Sequence, residues 1–91
     1  MMYFDIKKMK KEDRKLLGWL QREKHVAEKK NEVYRAVLLK TLIKSIREYG
    51  YFDNTELLRA RWENRAKGWH EGLRILTELE CDIKRFQGEA A

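Results

Sequence analysis

A chain of 91 residues allows one domain. Charged residues make up 40% and hydrophobic residues 43%, with ten aromatics, no proline and a net charge of +6. Such a chain is too apolar to stay disordered and too charged to bury a deep core. No run approaches the roughly 18 consecutive apolar residues that cross a bilayer, so neither a membrane span nor a membrane partner is expected.

The first twelve residues form a basic N-terminal segment. Its opening stretch, Met1 to Ile6, is too short and too soon charged to read as a signal peptide. Lys7, Lys8, Lys10, Lys11, Arg14 and Lys15 place six cations within nine residues. A run of this kind attracts a phosphate backbone or an acidic protein surface. The plainer explanation is a solvated helix start matched by acidic residues elsewhere. Tyr3, Phe4, Ile6 and Met9 supply apolar groups that could fold back on a core.

Helix 1 is expected over residues 13–49. Leu16, Leu17, Trp19 and Leu20 form one apolar cluster, and Val33 to Tyr49 carries a second, wider one. Between them, residues 21–32 offer only Val26 and Ala27, so a break near residues 30–31 is the competing reading. Gly50 suits the left-handed position after a helix end, and residues 50–53 read as a turn.

Helix 2 is expected over residues 54–86, with 87–91 as a tail that begins near Gly88. Leu58, Trp62, Arg65, Trp69, Gly72, Leu76, Leu79, Ile83 and Phe86 alternate by four and three, the seam of packed helices. Asp53 with Glu56 three residues on resembles a capping box. An unbroken helix of this length would reach about 50 Å.

The two expected helices match in length. The expected fold is therefore all-α: a long antiparallel helical hairpin, coiled-coil-like, in which residue i lies opposite residue 103 − i. Trp69 then faces Tyr34, and Arg65 faces Leu38. One seam rarely sustains so small a chain, so the hairpin is expected to dimerise into a four-helix bundle. The alternative is a three-helix bundle, which also requires a break at Gly68 or Gly72.

Chemistry is harder to find. There is no phosphate-binding glycine loop and no cofactor motif. His25 and His70 stand apart, and residue 74 is Arg, so no H-E-x-x-H zinc pattern forms. Cys81 is alone, which leaves no internal disulfide. Its neighbours Glu80 and Asp82 oppose a thiolate; a half-buried filler role is expected. Neither enzyme activity nor any metal or cofactor is expected, and these features fit a cytoplasmic protein.

The remaining readings concern binding. Residues 1–30 hold ten Lys/Arg against five Asp/Glu, whereas residues 53–91 hold seven against eight. Besides the six N-terminal cations, Trp19 is a candidate contact residue, and Arg61 and Arg65 flank Trp62. The expected function is a small regulator, adaptor or inhibitor that binds another protein. A homodimer that binds nucleic acid without reading sequence is the alternative.

Overall fold

The structure is a computed structural model, and it describes residues 5–90. After a 3-10 turn at Ile6–Lys8, four helices follow: α1 (Lys11–Lys29), α2 (Val33–Tyr49), α3 (Thr55–Lys67) and α4 (His70–Ala90). No strand occurs among the described residues. The chain is all-helical, but neither long rod survives. Each expected helix is broken in two, and the greatest dimension of the molecule is 40 Å, shorter than one unbroken second helix. Four helices also depart from the three-helix alternative.

Both breaks share one backbone device. Asn31 adopts φ 58° and Gly68 adopts φ 67°, both in the left-handed region. At the first break the Glu32 N–H donates to the Ala27 carbonyl at 2.9 Å, and the Asn31 N–H donates to Glu28 at 3.2 Å. At the second, Trp69 N–H donates to Asn64 at 2.9 Å and Gly68 N–H to Arg65 at 3.1 Å. This is the Schellman pattern, which satisfies the carbonyls that a helix end would otherwise leave bare. Asn and Gly are the residues that tolerate this conformation. Gly50, at φ 85°, ends α2 as the sequence suggests, its N–H donating to Ile46 at 2.7 Å.

The helices pack in succession: α1 mainly on α2, and α3 mainly on α4. Helix α4 also reaches α1 and α2, joining the two pairs around one core. Leu16, Leu17 and Leu20 of α1 meet Leu38, Leu39, Leu42 and Ile46 of α2 there, with Leu76, Leu79 and Ile83 of α4. Met9 is buried in the same cluster, so the basic segment is pinned at its centre. Tyr3, Phe4 and the Ile6 side chain lie outside the described residues.

The seam expected over helix 2 holds in one half only. Gly72, Leu76, Leu79 and Ile83 are buried, and Phe86 is half-buried. Leu58, Trp62, Arg65 and Trp69 are exposed. Helix α3 instead buries Leu57 and Asn64, seven residues apart. The left-handed turn at Gly68 resets the helical phase, so positions in step along the sequence do not share one face.

Two end signals also behave differently. Asp53 Oδ1 accepts from the Thr55 N–H at 3.0 Å, but Glu56 pairs with Arg59 rather than completing the box. Helix α4 runs through Gly88 to Ala90, because a lone glycine costs a helix only about 1 kcal/mol.

Candidate binding surfaces

The six N-terminal cations do not form a loose arm. Lys7 and Lys8 sit in the 3-10 turn, Lys10 caps α1, and Lys11, Arg14 and Lys15 lie on its first turns. All six are exposed, and none pairs with a carboxylate among the described residues. Lys10 gives no side-chain cap, and Glu12 and Asp13 are the groups that favour the positive end of the α1 dipole.

The other three candidates have separate fates. Trp19 is half-buried and stacks on Phe86 of α4, ring centroids 5.1 Å apart and 18° from parallel. Arg61 is ion-paired with Glu80 across the α3–α4 pair. Arg65 is exposed on α3 rather than buried opposite Leu38. The nine candidates therefore do not form one site. Six lie at the start of the chain, Trp19 lies at the α1–α4 contact, and the two arginines lie on α3.

Two surfaces escaped the sequence reading. The first is the outer face of α3, where Leu58 is 58% exposed and Trp62 is 76% exposed. They stand four residues apart, which puts them on one helix face. The seam spacing in the sequence assigns both to the core. The usable signal was Gly68 itself, a glycine in the middle of the repeat.

The second surface is a groove between α1 and α2, lined by Gln21, Lys24, Lys40, Ile43, Lys44 and Arg47. No carboxylate lines it. Lys40, Lys44 and Arg47 recur at spacings of four and three, so they share the solvent face of α2. Lys24 has Glu28 at 3.5 Å. The spacing on α2 was visible in the sequence, but its meeting with Lys24 depended on the break at Asn31.

A perturbed carboxylate lies elsewhere. On the surface of α4, a hydrogen bond from Arg74 holds the Glu71 carboxyl below its ordinary range. The same pairing raises the Arg74 guanidinium further. This is a surface ion pair, and Arg74 also bonds Glu78 one turn on. His25, His70 and Cys81 are all exposed, so Cys81 is not the half-buried filler expected. Among the described residues, no three His, Cys, Asp or Glu side chains gather into a metal-binding set, and no helix is long and apolar enough to cross a membrane.

No family model, curated protein or solved structure matches this chain. The surfaces themselves therefore carry the functional reading.

Proposed function

We propose that this protein is a small non-enzymatic interaction module that binds another protein through the outer face of α3. The observation behind this reading is the exposure of Trp62 beside Leu58. Tryptophan is enriched among residues that dominate binding energy, because a large rigid ring loses much water and little conformational freedom on contact. Arg61 and Arg65 border the face and supply the polar rim typical of such contacts. A small chain with a packed core and an open apolar face suits a regulator, adaptor or inhibitor working in the cytoplasm. A second copy of the chain is one protein that could dock there.

Affinity capture with the wild type and with a Leu58→Ser, Trp62→Ser variant tests the reading. A protein retained by the wild type, lost by the variant and insensitive to nuclease is the expected result. Light scattering over a concentration series shows whether the retained protein is the chain itself. Identical captured proteins for both forms would discard the α3 face as the contact.

A further inference from the structure

We infer that the groove between α1 and α2 binds the phosphodiester backbone of a nucleic-acid duplex, independently of the α3 face. Four cations, Lys24, Lys40, Lys44 and Arg47, converge on it from two helices, with Gln21 and Ile43 as the other lining residues. Lys40, Lys44 and Arg47 are exposed and have no ion-pair partner among the described residues.

The cationic surface continues beyond the groove. Arg14 precedes Gln21 by seven residues, close to two full helical turns, so it extends the same side of α1, and Lys10 lies just before the helix start. Both are exposed. The segment 5–50 holds fourteen Lys/Arg against seven Asp/Glu, whereas 51–91 holds seven against eight. The first half of the chain, the basic segment with α1 and α2, carries the molecule's whole positive excess.

Spacing and lining select the ligand. Lys40 to Arg47 spans about 10 Å of helix axis. One duplex strand presents a phosphate about every 3.4 Å of its own axis. Three cations over that length can therefore each serve a phosphate. Protein partners prefer a contact centre depleted in charge, whereas nucleic-acid interfaces are polar and strongly positive. Single strands are usually held by stacking on aromatic rings, and no aromatic lines this groove. Contacts of this kind follow phosphates without reading bases.

The test is fluorescence anisotropy with a labelled random-sequence DNA duplex and an RNA duplex of the same sequence, across a salt series. Binding to either duplex, or to both, fits the shared backbone chemistry, and a preference names the source. The triple variant Lys40→Gln, Lys44→Gln, Arg47→Gln should lose about tenfold or more in affinity at low salt. Its slope of log affinity against log salt should become shallower by about three. All three residues lie on the surface, so circular dichroism should be unchanged, and the Leu58→Ser, Trp62→Ser variant should bind the duplex as the wild type does. An unchanged slope in the triple variant overturns the inference. So does loss confined to a Lys7→Gln, Lys8→Gln variant, or polyglutamate that competes as well per charge as unlabelled duplex.

Discussion

Trp69 lies over Gly72. A methyl group added at Gly72 would come within 2.8 Å of Trp69 Cδ2 and 2.8 Å of Asn64 Nδ2. The residue that follows the α3 break therefore folds onto the first turns of α4, and only a missing side chain lets it do so. Gly72→Ala should destabilise the protein by about 1–3 kcal/mol through overpacking. Gly88 has open space around it, so Gly88→Ala should instead be neutral or stabilise by up to about 1 kcal/mol. Urea unfolding of both variants measures the contrast. Equal effects would mean that the Trp69 contact does not form.

Tyr34 and Asn64 form a second checkable pair. Asn64 is only 3% exposed, and its amide donates to Tyr34 Oη at 2.9 Å. The Tyr34 ring also meets Trp69 edge-on, with centroids 4.6 Å apart. Tyr34→Phe keeps the ring and removes the acceptor, so it should cost about 1–3 kcal/mol. In an Asn64→Ala background the same change should cost much less. A double-mutant cycle of unfolding free energies gives that difference directly.

Arg35 ties three helices together. From α2, its Nη2 donates to Glu23 Oε1 of α1 at 3.2 Å and to Asp82 Oδ2 of α4 at 3.1 Å. Both carboxylates are partly open to water, which limits the gain. Arg35→Met should cost about 1–2 kcal/mol. Lysine carries the charge without the planar fork and should recover only part of it. Thermal melts of the two variants rank them.

The Glu71–Arg74 pair gives a pH signature. The folded-state pKa of Glu71 is lowered, chiefly by the hydrogen bond from Arg74. Its contribution to stability is present above the unfolded-state value and is lost as pH falls through the folded one. Carboxylate NMR titration should place Glu71 below an ordinary glutamate, and Arg74→Gln should return it to the ordinary range. Because the pair is exposed to solvent, the effect should weaken with added salt.

Sequence patterns carried the helices but not their phase. Leu76, Leu79 and Ile83 fell on the core face as their spacing requires, and Tyr34 met Trp69 as the mirrored pairing had it. Gly50 ended its helix where expected. Leu58 and Trp62 failed because a left-handed residue at Gly68 resets the angular count, and a list of intervals does not register that. A break at Asn31 competes in the sequence with matching helix lengths, which argue the other way. Individual αL residues decide such matters locally, whereas length is an average. The α1–α2 groove was missed because Lys24 and Lys40 are sixteen residues apart; only the turn at Asn31 makes them neighbours.

Pairing α1 with α2 and α3 with α4, each with a close neighbour in the chain, has a kinetic consequence. Little loop entropy is lost before the first contacts reward closure, and proteins of this topology cross their folding barrier within microseconds to milliseconds. The sequence contains no proline, so a stopped-flow refolding trace should lack the phase of tens of seconds that peptide-bond isomerisation imposes. A chain that reaches its native state this quickly exposes its leucines to neighbours only briefly.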